Sequence, residues 1–247
     1  MDGMTTGSKV TEARTSIALP PGDHKVAVTY ELSNDPALTF TLPSLALSVP
    51  SSNIAITVTP SPERWIVWTG GGLFGPSVVY WGKLIGVVTL CLALSLTGFL
   101  KLSPWSAAFL GVGLASLPMI NLWIPLLWLG VIQKFSVLKT QKPGPRWGMI
   151  TLTVFLALVS LFLLYHVVEI GLLLDPPMLI AGANSSSSQL RWIFDTSPGA
   201  LPSPWIISLP MWTWRGFSLL WATWLVVGMM RWIRETIKCV KLCSSAA

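Results

Sequence analysis

The sequence predicts a membrane α-helical domain, with three full spans and one broken or re-entrant segment, preceded by a small all-β region. Three observations carry this prediction. Asp, Glu, Lys and Arg make up 11% of the 247 residues, against about 25% in a soluble domain. Hydrophobic residues reach 52%, with 14 Trp, and mean hydropathy is +0.66. Period-two alternation is confined to residues 17–77, whereas long apolar runs fill residues 78–247. So little charge cannot cover a soluble globule, which argues against a free cytosolic enzyme.

The net charge of +6 is unevenly placed. Residues 1–77 carry four basic and six acidic side chains, and residues 78–172 carry six basic and one acidic. The stretch 173–210 sets Arg191 against Asp175 and Asp195, and the tail from 211 holds five basic residues and Glu235. Basic clusters beside apolar runs are an orientation signal of membrane proteins. A nucleic-acid binder would instead carry a basic stripe on a polar surface, so no nucleic-acid partner is expected.

Met1–Ser16 is polar and expected to be disordered, with no apolar run resembling a signal peptide. In 17–77, Val26, Val28, Tyr30 and Leu32 alternate with polar or small residues, as do Ile54, Ile56 and Val58. Such alternation marks half-buried strands. Shorter candidates are Thr15–Leu19, Leu38–Leu42, Leu45–Val49 and Arg64–Trp68, separated by Pro, Gly, Ser, Asn and Asp turns. This is a thin core for an independent domain. The region is expected to lean on the membrane part, on a second copy or on a partner, or to be the end of a longer protein.

Val78–Leu100 is the first expected span, with Lys83 placed to snorkel to the interface. Trp147–Leu172 and Met211–Met230 are the second and third, each reaching the ~20 residues that a bilayer requires. The 32 residues Leu102–Gln133 carry no charge and contain Gly111, Gly113, Pro118, Asn121 and Pro125, which read as breakers or polar groups. They form either one kinked span or a hairpin turning near Leu117–Asn121, with its turn buried in protein. Lys134–Arg146, with four basic residues, is expected in the cytoplasm together with the C-terminal tail. Segment 175–210 is then an outer loop. A hairpin at 102–133 places the β-region outside, and a single crossing places it in the cytoplasm; the basic clusters favour the hairpin.

Ionisable residues near one membrane face form a candidate polar cluster: His166, Glu169, Asp175, Arg191 and Arg215. His166 and Glu169, three apart, share a helix face and could relay a proton or simply anchor the helix. A Glu169–Arg215 ion pair between adjacent helices is a further expectation. In the long loop 175–210, Asn184, Trp192 and Trp205 are candidates for partner binding, or the tryptophans form an interfacial belt and the serines a flexible link. Trp221 and Trp224, three apart in the third span, read as packing residues. No phosphate loop, nucleophile elbow, zinc spacing or dinucleotide fingerprint is present, so no cofactor and no metal are expected.

Several stretches together carry a resemblance: Thr41-Leu42-Pro43-Ser44-Leu45 leading to Arg64-Trp65, Gly75-Pro76 before the first span, and Asp175-Pro176 through Leu190-Arg191-Trp192 to Leu201-Pro202 and Trp205. The chain resembles, over most of residues 20–235, the C-terminal region of large uncharacterised bacterial envelope proteins. The resemblance implies an inner-membrane protein with its β-rich part outside, and implies no activity. The expected role is an anchor or docking scaffold for an extracytoplasmic partner or domain, in contact with membrane lipids and with a protein partner or a second copy. A transporter or channel subunit, or a membrane enzyme acting on lipid-linked substrates, are the alternatives.

Overall fold

Nine short strands and five helices make up the described part of the chain. The computed structural model describes residues 5–7, 22, 24–29, 38–44, 46–47, 49–72, 74–135, 147–176 and 178–244. Contacts divide the chain into two units, Met1–Ala37 and Leu38–Ala247. In the first, β1 (Thr5–Gly7) and β2 (Ala27–Thr29) pair in parallel. The expected alternating strand from Val26 is therefore realised only over its first residues, and Tyr30 and Leu32 lie outside the described residues. So do the expected strand Thr15–Leu19 and, apart from Thr5–Gly7, the segment expected to be disordered.

The second unit begins with β3 (Thr39–Thr41), β4 (Ser51–Val58), β5 (Arg64–Gly70) and β6 (Ser77–Val78). Three more strands lie far along the chain: β7 (Ile180–Ala181), β8 (Leu190–Ser197) and β9 (Trp205–Pro210). Every described strand of the early group pairs with one of the late group. The pairs are β4 with β8, β6 with β7, and β3 and β5 on either side of β9, all antiparallel. Segment 175–210, expected as a loop, is thus the second half of a β-module. The loop reading failed because β8 and β9 complete their ladders with strands more than a hundred residues away, which no local pattern reveals. Of the expected strand Leu45–Val49, the described residues show an isolated bridge, Ala46 with Ala200, and a hydrogen bond from Leu47 N to Gly199 O.

The module is layered. Ile54, Ile56 and Val58 stand opposite Phe194, Trp192 and Leu190, and Ile66, Leu190, Trp192 and Ile206 form the buried centre. On β5 the neighbours Trp65 and Ile66 are both buried. Successive strand residues face opposite ways, so Ile66 meets this centre while Trp65 packs against Tyr80 and Met178.

The helices are α1 (Tyr80–Leu96), α2 (Pro104–Leu114), α3 (Trp123–Phe135), α4 (Trp147–Leu173) and α5 (Met211–Ser244). Two of them, not the expected three, are long and apolar enough to cross a membrane: α4 and α5. The first expected span falls short because α1 ends early. Gly98 takes φ of +72° and Leu100 N donates to Leu94 O at 2.9 Å, turning the chain after 17 residues, about 25 Å of helix against a hydrocarbon core of about 30 Å. Lys83 does not snorkel; its Nζ donates to Leu117 O at 2.6 Å, a cation set against carbonyls at the end of α2.

Leu102–Gln133 is a helical hairpin rather than a kinked span. Ser103 caps α2 by accepting from Ser106 N at 3.3 Å, and Pro104 occupies the first turn, where no amide partner is needed. Gly111 and Gly113 lie inside α2 and do not break it. The break is at 115–122, where Pro118 and Asn121 sit as expected. Pro125 falls in the first turn of α3, whose amides have no intrahelical partner. Lys101 N donates to Gln133 Oε1, so both ends of the segment lie at one end of the bundle, while the Lys83–Leu117 bond holds its turn near the start of α1.

Packing of the bundle is dense and rich in tryptophan. A Cβ on Gly111 would lie 2.9 Å from Val88 Cα, and one on Gly113 would overlap the Trp221 indole. Trp221 Nε1 donates to Phe109 O at 2.7 Å, and Trp128 Nε1 to Thr236 Oγ1 at 3.2 Å. Trp224 contacts Phe109, and Trp128 contacts Trp232 edge-on. Trp221 and Trp224 are packing residues, as their spacing suggested.

Candidate functional site: the β-module and its seat on the helices

Two strands run directly into helices: β6 reaches α1 through Val79 alone, and Pro210 of β9 precedes Met211 of α5. Met211 N donates to Glu63 O at 2.9 Å, which satisfies one of the orphan amides at the start of α5. Trp65, Tyr80 and Trp214 pack edge to face, Trp65 Nε1 contacts Met178 Sδ at 2.9 Å, and Trp81 Nε1 donates to Val67 O at 2.8 Å. The Arg64 guanidinium donates to Ser208 Oγ at 2.9 Å and to its carbonyl at 3.1 Å. These contacts seat the β-module directly on the helix ends.

The expected polar cluster is not assembled. His166 Nδ1 and Glu169 Oε2 lie 3.1 Å apart, with side chains about two-fifths exposed. Asp175 and Arg215 are exposed, and Arg191 is half-buried. No ion pair joins Glu169 to Arg215: among the described residues the ion pairs are His166–Glu169 and Lys238–Glu235. Helix geometry explains this. Gly171 of α4 faces Ser218 of α5, and a residue two positions earlier points about 200° away around the helix. Glu169 therefore faces away from α5, and His166 is the partner within reach. Two cavities, one beside Lys101 and Arg231 and one beside Phe74, are lined by none of the five residues.

The expected binding loop is also rebuilt. Trp192 is fully buried and packs against Gly75, where a Cβ would stand 2.5 Å from the indole Cδ1. Trp205 is half-buried, with its indole over Gly70. Neither is a free aromatic available for recognition. Asn184 is exposed in a turn at φ of +56°, a conformation that Asn tolerates better than most residues. The serine run is an ordered tight turn, with Ser186 N donating to Gln189 O at 2.8 Å.

Residues overlooked in the sequence are Gly70, Gly71 and Gly72, and the packing role of Gly75, which the sequence reading quotes only within the resemblance. A Cβ on Gly72 would lie 3.0 Å from the Phe194 ring, and one on Gly71, at φ of +96°, would lie 2.5 Å from Pro204 Cα. The repeated glycines were the available signal, since glycine within strand-like sequence marks close backbone approach. The module's accessible feature is the outer edge of β4. Among the described residues no strand pairs with it, and Ser52, Asn53, Ala55 and Thr57 along it are exposed. No family model, curated protein or solved structure matches this chain.

Proposed function

We propose that the protein is an integral membrane scaffold that docks an extracytoplasmic protein partner or domain on its β-module. The observation that carries this reading is the interlocking of β3–β6 with β7–β9. Ladders of backbone hydrogen bonds form only between strands in one compartment, so both halves of the module lie on one side of the membrane. Lys134–Arg146 and the basic half of α5 belong to the opposite side, the cytoplasm by the distribution of Lys and Arg. Leu158, Phe162, Phe217 and Leu220 are all exposed on α4 and α5, which supports lipid around the bundle. An inner-membrane setting is the one implied by the resemblance to bacterial envelope proteins.

Docking, rather than transport or catalysis, is supported by the tryptophan-packed bundle and by the scattered polar residues. An unpaired strand edge can take up an extended segment by main-chain hydrogen bonding, and β4 offers eight residues for this. The test is photo-crosslinking in intact cells from a probe replacing Thr57, compared with one replacing Leu158 on the lipid face of α4. A protein adduct of one discrete mass from position 57 alone is the expected result. Lipid adducts at both positions and no protein adduct would remove the docking role.

A further inference from the structure

We propose that a cavity at the basic end of the bundle binds the phosphate of an anionic phospholipid. This inference rests on the membrane placement of the helices but not on the docking role of the β-module. The cavity, about 660 Å³, opens between α5 and the ends of the α2–α3 hairpin. Lys101, Arg231, Arg234 and Lys238 converge on it, with Glu235 as its one carboxylate. Glu235 is engaged by Lys238 at 2.8 Å. No carboxylate of the described residues lies within ion-pair distance of Lys101, Arg231 or Arg234. Three cations are thus gathered around one opening, and among the described residues no carboxylate pairs with them.

The wall of the cavity is graded in polarity. On α5, Trp224, Val227, Arg231, Arg234 and Lys238 succeed one another at intervals of three or four, which sets them on one helix face. The upper part of that face is apolar and the lower part cationic. Leu102 and Ile132 continue the apolar part on the hairpin side, and Gly228 leaves the wall without a side chain. Arg231 lies about 30 Å along α5 from Met211, which matches the thickness of the hydrocarbon core. The cations therefore fall at headgroup level and the apolar wall at acyl-chain level. Basic pockets between membrane helices on the cytoplasmic side suit such headgroups, and guanidinium groups match phosphate oxygens in geometry. A soluble phosphate would use the cations but gain nothing from the apolar wall, which favours a lipid.

The full chain, purified in a neutral detergent, is unfolded thermally in the presence of phosphatidylglycerol, phosphatidylcholine or inorganic phosphate. Phosphatidylglycerol is expected to raise Tm by several degrees, and the other two to leave it unchanged. Arg231→Gln combined with Arg234→Gln, both exposed, is expected to retain the basal Tm and abolish the shift. Gly228→Leu, which would press on the Trp232 indole in the cavity wall and keeps every charge, should also abolish it, whereas Arg215→Gln at the other end should not. An equal shift from phosphatidylcholine, a shift reproduced by inorganic phosphate, or a shift that survives the double arginine variant would each overturn the lipid site. Retention in carbonate-washed membranes is measured alongside. A chain released by carbonate refutes the membrane placement, and a retained chain without a phosphatidylglycerol shift refutes only this site.

Discussion

Trp192 and Gly75 form a lock in the module: the indole has no solvent exposure and a Cβ on Gly75 would come within 2.5 Å of it. Removing the large side chain leaves a cavity, for which about 3–5 kcal/mol is typical of Trp→Ala in a core. Adding the methyl instead overpacks the site, at about 1–3 kcal/mol. Trp192→Ala and Gly75→Ala should therefore each lower the unfolding temperature in detergent. Their effects should not add, because the smaller side chain makes room for the methyl. Strictly additive losses would mean that the two residues do not touch. The residue scale is also where the sequence misleads most. A tryptophan beside an arginine in a Pro- and Ser-rich stretch has the composition of a recognition loop, and only the pairing of Ile56 with Trp192 reveals it as core. His166 and Glu169 were legible as a pair because three residues on one helix fix their distance. Glu169 and Arg215 were not, because rotation about two helix axes decides whether they meet.

At the scale of elements, β4 and β8 hold the two halves of the module together along eight residues each. Ser52 and Thr196 face each other in register and both are exposed. Directly opposed Cα atoms in an antiparallel ladder lie about 4.5–5.5 Å apart, within disulfide range. Ser52→Cys together with Thr196→Cys should give an intramolecular disulfide under mild oxidation, visible as a reducible mobility shift on a gel. Ser52→Cys paired with Ser188→Cys, eight positions from Thr196 along the chain, should not. Failure of the first pair to cross-link would refute the ladder. Strand existence was legible wherever alternation ran long, as over Ile54–Val58, and strand pairing was not. Helix ends followed the same division. The start of α4 at Trp147 agrees with the expected span, while α1 stops at Leu96 because of a turn that a continuous apolar run conceals.

For the whole molecule, the interlocked strands change the question of sidedness. In the proposed placement the short α1 carries the chain from the module to the basic end of the bundle, and a single kinked crossing at 102–133 would then put β4 and β8 in different compartments, although a β-ladder cannot be completed across a bilayer. The hairpin, with Lys101 joined to Gln133, keeps them together and returns the chain to the basic end before α4. On the proposed orientation, cysteines introduced in place of Thr57, Ser188 and Thr140 should separate into two classes in intact cells. Positions 57 and 188 should react with a membrane-impermeant maleimide together, and position 140 only after permeabilisation. Reaction of 140 from outside with protection of 57 and 188 would invert the orientation while preserving the fold. Reaction of 57 and 188 from opposite faces would contradict the fold itself, since every ladder of the larger module joins a strand before α1 to a strand after α4.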